Sequence, residues 1–429
     1  MKGNFQVIIL VIFIAAAILG VLVFSGAIPV GKTGTGSLGK VVLWGTVPNT
    51  TMSNIMMDFN NANPTFTVSY VQKSIDTFDQ DLLEAAASGT GPDMFFLSDD
   101  LVFHYANKIF AIPYENYSLT SFKNNFAGAG EVFLTSGGIL AFPISIDPLM
   151  MYYNRSMLDA NGVVFPPAYW DEMTNITSTL TKKDDSNKIT KSAIAFGYSS
   201  NIVHFKDILA TLFMQAGNPI VKEKDGSLIS TLDSSIGNFN LPSMLKFYTD
   251  FANPNNPLYS WNRSFPNSND AFSKEDLAFY FGYASELQSM VKRNPNQNFF
   301  VAPIPQIKNA NSKVTMARVT GIAISSFSKN ISTAFLAASL MTTGDFASKF
   351  TTVTGVPPAR RDLLAIKLQD AYSPIFYSSA LYGKSWLDPS SKDTDVIFSE
   401  MTNAVISNNM SVADAVKDAN TKLSLLLFK

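Results

Sequence analysis

The pattern of apolar and polar positions predicts a repeating order of strands and helices in the first part of the chain. Short apolar runs that end at glycine or proline are typical of buried strands, and apolar residues spaced three and four apart are typical of helices. By these criteria the strands lie at 40–44, 66–71 and 93–97, and the helices at 52–63 and 78–87. This β-α-β-α-β order predicts an α/β domain whose parallel sheet is covered by helices on both faces.

The first residues of the chain have a different pattern. Residues 7–24 are an unbroken apolar run of 18 residues, and Lys2 precedes it. A run of this length is near the lower limit for a membrane span and is longer than the apolar region of most signal peptides. We therefore expect a signal anchor over 1–30, with a cleaved signal peptide as the alternative because Ser25-Gly26-Ala27 follows the run. The positive charge before the run places the rest of the chain outside the cytoplasm, beyond a flexible linker at 31–39.

Length and composition narrow the class of protein. The chain has 429 residues, which suffices for two lobes that each have their own core. A charged content of 15% and a net charge of −2 argue against a nucleic acid partner, because phosphate binding needs concentrated Lys and Arg. The chain contains no cysteine and only two histidines, so we expect neither a disulfide nor a thiolate or multi-histidine metal site, and no cofactor.

A series of short motifs in fixed order gives the chain a family resemblance. The series consists of Trp44 at the end of the first strand, Asn60 to Pro64, Gly89 to Asp93, Phe142-Pro143 with Asp147, Tyr152-Tyr153-Asn154, Pro166-Pro167 and Trp170-Asp171-Glu172. In this order the motifs resemble the sugar-binding branch of the extracytoplasmic solute-binding proteins that serve ABC importers, family 1, which are similar to maltose-binding protein. Tyr169 departs from the pattern, because the family usually has Thr there.

The resemblance implies a two-lobe periplasmic-binding-protein-like fold of type II, preceded here by the N-terminal membrane helix. Hinge crossings are expected near 142–147, 316–324 and 360–370, and one helix is expected over 335–350. Lobe 1 would comprise 40–145 and 320–365, and lobe 2 would comprise 146–319 and 366–429. The resemblance implies three partners: a small-molecule solute, in this branch a sugar, bound between the lobes; the permease subunits of an ABC transporter; and the membrane, held at its extracytoplasmic face through the N-terminal helix.

A sugar pocket needs flat aromatic side chains for the apolar faces of a pyranose and planar polar groups for its hydroxyls. The aromatic candidates are Trp44, Tyr283 and Trp386, each with ordinary core packing as the alternative. The polar candidates are Asp99 and Asp100 after the third strand, Asp147 just past the crossing, and Arg318 in the second crossing. The alternatives are a helix N-cap for the first pair and an interlobe ion pair for Arg318.

Enzyme functions are disfavoured. Pairs of carboxylates such as Asp99 with Asp147 could be proposed as a glycosidase site. However, Asp171 and Glu172 are explained by a helix start, and neither Gly-x-Ser-x-Gly nor a Walker motif occurs. The chain is therefore interpreted as a binding protein. Two alternatives remain: a binder of a peptide or polyamine, and a sensor or adhesin domain on the same fold. Tyr and Trp in the cleft would favour a sugar ligand, whereas a ring of acidic residues would favour a polyamine.

Overall fold

The structure is a computed structural model that describes residues 38–233 and 240–428. The signal anchor predicted at 1–30 and most of the linker at 31–39 lie outside the described residues. Among the described residues, no helix has the length and apolar character that a membrane span requires.

The described residues form fourteen strands and sixteen α-helices with short 3₁₀ segments between them. The strands are β1 Lys40–Gly45, β2 Thr67–Gln72, β3 Met94–Ser98, β4 Leu134–Thr135, β5 Gly138–Ile139, β6 Ala141–Asn154, β7 Lys182–Lys183, β8 Ile189–Ile194, β9 Val221–Lys224, β10 Ser227–Ser230, β11 Leu277–Tyr283, β12 Phe299–Pro303, β13 Thr315–Ile324 and β14 Gly383–Lys384. The helices are α1 Asn49–Ala62, α2 Phe78–Ser88, α3 Val102–Tyr105, α4 Leu119–Asn125, α5 Arg155–Ala160, α6 Trp170–Leu180, α7 Phe205–Gln215, α8 Leu241–Asp250, α9 Ser268–Ser273, α10 Leu287–Arg293, α11 Ile331–Met341, α12 Gly344–Thr354, α13 Arg361–Leu364, α14 Ser373–Ala380, α15 Ser391–Ile406 and α16 Val412–Leu427.

One sheet of ten strands connects the two halves of the molecule. Its main path is β2-β1-β3-β13-β6-β11-β8-β7, with β12 beside β6 and β14 beside β13. The first three strands pair in parallel, as the β-α-β-α-β pattern predicts. Strand β13 runs antiparallel to both β3 and β6. The parallel part of the sheet in the first lobe therefore ends at β13.

Strands β6 and β13 are the two crossings between the lobes. The first half of β6 pairs with β13, and its second half pairs with β11 and β12. Pro143 lies opposite Gly321, where the register of β13 shifts. A bulge tolerates proline because proline cannot donate a ladder hydrogen bond. Four residues after Pro143, the same ladder sets Asp147 directly opposite Arg318.

Two separate apolar cores lie on either side of these crossings. The first core takes its buried side chains from 41–146 and 317–380. The second takes them from 149–316 and 376–427. Two cores joined by long shared strands make a two-domain α/β architecture, which confirms the predicted two-lobe α/β fold for the described residues.

The single helix predicted over 335–350 is wrong. The structure has two helices there, α11 and α12, because the chain turns at Thr342 and Thr343. Both threonine hydroxyls donate to backbone carbonyls three residues earlier, those of Ser339 and Leu340. Such local side-chain bonds compete with helix continuation, and Gly344 follows with a φ of 31°.

Candidate ligand-binding site

A cavity of about 400 Å³ lies between the two cores. Its walls come from the end of β3 with the residues that follow (98–100), the start of α7 (204–207), β13 through Met316 and Arg318, and the segment between Trp386 and Asp395. Strand β3 belongs to the first core and α7 to the second. The cavity therefore takes side chains from both lobes, and its size falls within the range of small-molecule sites.

The structure brings four of the seven candidate residues to the cavity wall, namely Asp99, Asp100, Arg318 and Trp386. Asp147 lies behind Arg318 as its neighbour in the ladder. Trp44 is not part of this wall. It lies near the end of β1 at a partly buried position, where the Lys73 ammonium lies 3.8 Å from the centre of its ring.

Tyr283 is placed beneath Arg318 and not at the cavity surface. Its side chain is fully buried, and the guanidinium carbon of Arg318 lies 4.0 Å from its ring centre. The rings of Tyr283 and His204 are nearly perpendicular, and their centres lie 4.9 Å apart. The hydroxyl lies near the Asp207 carboxylate but forms no hydrogen bond of normal geometry. Tyr283 thus supports the residues that line the cavity.

Asp99 links three parts of the site. Its Oδ1 accepts the Val319 N–H at 3.1 Å, and its Oδ2 accepts the Ser385 hydroxyl. These bonds join β3 to a crossing strand and to the segment before Trp386, so the proposed N-cap role is wrong for Asp99. Burial, followed by the charge of Asp100, raises the pKa of Asp99 to about 7. Near neutral pH this carboxyl can therefore either accept or donate a hydrogen bond.

Asp147 fixes the turn that supports Tyr283. Its Oδ1 accepts the Ser285 N–H at 3.0 Å, and burial raises its pKa to about 6. The neighbouring Glu286 has its Oε1 2.6 Å from His204 Nε2, and its Oε2 accepts a hydrogen bond from the Tyr280 hydroxyl. His204 itself has a φ of 62°, an unusual conformation for a residue other than glycine. These contacts hold the start of α7 against β11.

Trp386 lies at the boundary between the cavity and the second core. Its side chain is 6% exposed and stacks on Phe398 of α15 at 6.3 Å between ring centres. It nevertheless lines the cavity, which leaves part of the indole surface in contact with any occupant. An aromatic side chain fixed by core packing is a rigid platform for an apolar ligand face.

Sequence reasoning missed a buried ion pair at the cavity wall. Lys206 Nζ lies 2.9 Å from Asp388 Oδ2 and also donates to the Ser391 carbonyl and the Thr394 hydroxyl. Both members of the pair are less than 10% exposed. The sequence signal was a lysine near the start of α7, a helix whose other residues are mostly apolar. A lysine that such a helix buries needs an acidic partner.

Two lobes, two shared crossing strands and a cavity between them define a binding protein with an interlobe ligand site. The chain belongs to the family of bacterial extracellular solute-binding proteins, whose family model matches residues 54–373. This confirms the resemblance read from the motifs.

Solved structures share the fold over nearly the whole described chain. A cyclo/maltodextrin-binding protein complexed with maltotetraose has a TM-score of 0.74 at 18% identity, covering 92% of this chain and 98% of its own. The sugar-binding protein MalE from Xanthomonas citri has a TM-score of 0.74 at 16% identity, with 91% and 97% covered. The cyclic alpha-maltosyl-1,6-maltose binding protein from Arthrobacter globiformis has a TM-score of 0.75 at 14% identity, with 90% and 98% covered. At these identities the likeness shows the fold.

Curated relatives match a smaller part of the sequence. Binding proteins of Brucella abortus and Brucella suis are 28% identical to this chain over 119 residues. The match spans 27% of this chain and 28% of the length of those relatives.

Proposed function

We propose that this protein captures a carbohydrate in the cavity between its lobes and delivers it to an ABC importer. The observation that carries the proposal is the cavity wall, where Trp386 lies beside the carboxylates of Asp99 and Asp100 and the guanidinium of Arg318. The indole suits the apolar face of a pyranose, and the charged groups suit its hydroxyls. Structural neighbours whose names give maltodextrin or cyclic maltosides as ligands support the same class of solute.

The crossing strands make the binding cycle a hinge motion. The lobes are proposed to divide as 40–145 with 320–365 and 146–319 with 366–429. The two cores support this division in outline, but buried side chains of the first core extend to residue 380 and those of the second begin again at residue 376. Arg318 and Asp207, which lie 3.5 Å apart, line the same cavity as Asp99, so an occupant can bind groups of both lobes at once. A solute that binds the closed arrangement more tightly than the open one shifts the population towards closure.

The proposed location is the extracytoplasmic face of the membrane. The apolar run at 7–24 would anchor the chain, and the linker at 31–39 would hold the two lobes near the permease subunits. Family membership supports an extracellular solute-binding role, and the closed, loaded form is the species proposed to dock on the permease.

A melting screen tests carbohydrate capture. The full chain in mild detergent is heated with and without neutral mono- and oligosaccharides, and a ligand at about 100 times its Kd adds about 2.7 kcal/mol of stability. We expect at least one carbohydrate to raise the melting temperature. The rise should shrink for Asp100→Asn at the cavity wall and persist for Asp185→Asn, an exposed turn residue that is not part of that wall. Failure of every carbohydrate to stabilise the protein would contradict the proposed function.

A further inference from the structure

The cavity wall carries more acidic than basic side chains. Its acidic members are Asp99, Asp100, Asp207, Asp388 and Asp395, and its basic members are Lys206 and Arg318. His204 also lines the cavity, but its Nε2 lies 2.6 Å from Glu286, so any charge on its ring already has a partner. A neutral occupant would leave this imbalance unchanged.

Lys206 is committed to the protein and is not free to bind a solute. Its ammonium lies 2.9 Å from Asp388 and also donates to the carbonyl of Ser391 and the hydroxyl of Thr394, and an ammonium has three donor hydrogens. The charge of Lys206 is therefore used to compensate Asp388.

Arg318 uses part of its guanidinium in contacts with other residues of the protein. Its Nη2 lies 3.5 Å from Asp207 Oδ2, and its guanidinium stacks on Tyr283. Lys206 therefore compensates Asp388, and Arg318 compensates Asp207. The acidic side chains of the wall that remain are Asp99, Asp100 and Asp395. None of these three has an ion-pair partner within 4 Å among the described residues. Burial is the largest cause that raises the pKa of Asp99 and that of Asp395, and the charges of Arg318 and Lys206, respectively, offset only part of this effect.

A second observation points to an incomplete polar arrangement at the same place. The Tyr283 hydroxyl is fully buried without a hydrogen bond of normal geometry. The charged groups that act on it are Asp207, Arg318 and Asp99, which all line the cavity. A buried hydroxyl without a well-formed hydrogen bond costs free energy, so an occupant that brought the nearby Asp207 carboxylate into hydrogen-bond geometry with Tyr283 would be favoured.

We infer that the solute carries a protonated amine, and the chemistry of the wall points to an amino sugar. The inference rests on the proposed function and names the solute class more closely. A protonated amine supplies the positive charge that Asp99, Asp100 and Asp395 lack, with N–H donors for carboxylate oxygens. Trp386 provides the aromatic surface for the sugar ring and attracts a nearby cation as well. A linear polyamine has the same charge but no pyranose face for the indole.

Disaccharides that differ only in one substituent test whether the charge or the shape of the solute determines its affinity. The probes are the β-1,4-linked disaccharide of glucosamine, its N-acetylated form and cellobiose, which differ only in the group at C2: an ammonium, an acetamide or a hydroxyl. Spermidine represents the other source of amine. Dissociation constants are measured by calorimetry on the full chain at low ionic strength, because salt screens charges at a partly open site.

The inference predicts that the glucosamine disaccharide binds at least tenfold more tightly than either neutral analogue. Asp100→Asn combined with Asp395→Asn should reduce that preference to less than threefold, whereas Asp185→Asn should leave it unchanged. These substitutions keep side-chain size, and a melt of each variant verifies folding.

Other results overturn the inference in distinguishable ways. Equal or tighter binding of cellobiose or the N-acetylated form would overturn the amine requirement and leave carbohydrate capture standing. Binding of spermidine without any sugar would overturn carbohydrate capture, and the amino sugar with it. Binding of none of the probes, together with no stabilisation by any carbohydrate, would overturn the proposed function itself.

Discussion

Replacing Lys206 by methionine is expected to lower the free energy of unfolding by about 3–5 kcal/mol. The substitution removes the ammonium that lies 2.9 Å from Asp388 and leaves that buried carboxylate without its cation. Methionine matches the length and apolar stem of lysine, so the loss isolates the charge. Denaturant unfolding of the full chain at neutral pH measures it.

A surface lysine provides the matched control. Lys246 forms an ion pair with Asp250 one helical turn away, but its side chain is 62% exposed. Exposed pairs of this type contribute about 0.3–0.5 kcal/mol, so Lys246→Met should have a far smaller effect. Equal losses in the two variants would contradict the assignment of Lys206 as a buried, charge-compensating residue.

Replacing Trp386 by alanine is expected to cost about 3–5 kcal/mol of stability and to abolish measurable solute binding. The stability loss follows from the 6% exposure of the indole and its stacking on Phe398. The binding loss follows from its position in the cavity wall. Because alanine affects both properties, Trp386→Phe is the sharper variant: it keeps an aromatic ring in the core but reduces the platform.

Trp261 is the control for this effect. It is fully buried and stacks on Phe265 at 4.4 Å between ring centres, outside the cavity wall. Trp261→Phe should lower the melting temperature without changing the Kd for the solute. Trp386→Phe should raise that Kd by tenfold or more, as measured by calorimetry. A solute affinity that is unchanged in Trp386→Phe would remove Trp386 from the proposed site.

The first lobe was the part of the fold most open to prediction from sequence. Strands β1, β2 and β3 and helices α1 and α2 lie close to their predicted positions, because each has a local pattern of apolar residues. In addition, β1, α1 and α2 end at or close to a glycine or proline. The division of 335–350 into two helices was missed, because it depends on hydroxyl bonds of Thr342 and Thr343 that periodicity does not reveal.

The site was predictable only where position in the fold implies it. Asp99 and Asp100 follow a strand of a parallel sheet, and Arg318 lies in a crossing, so their places at the cavity could be inferred. The pair of Lys206 and Asp388 could not, since its members are 182 residues apart and meet only when the second lobe folds. For Tyr283 the sequence indicated proximity to the site but not burial beneath Arg318.

Hydrogen exchange in the presence of the bound carbohydrate tests the central claim most directly, because a solute held between lobes must slow amide exchange in both. The account predicts simultaneous protection at 98–100, after β3 of the first lobe, and at 204–207, at the start of α7 in the second. Protection confined to one of these segments, or absent from both under saturating solute, would contradict capture between the lobes.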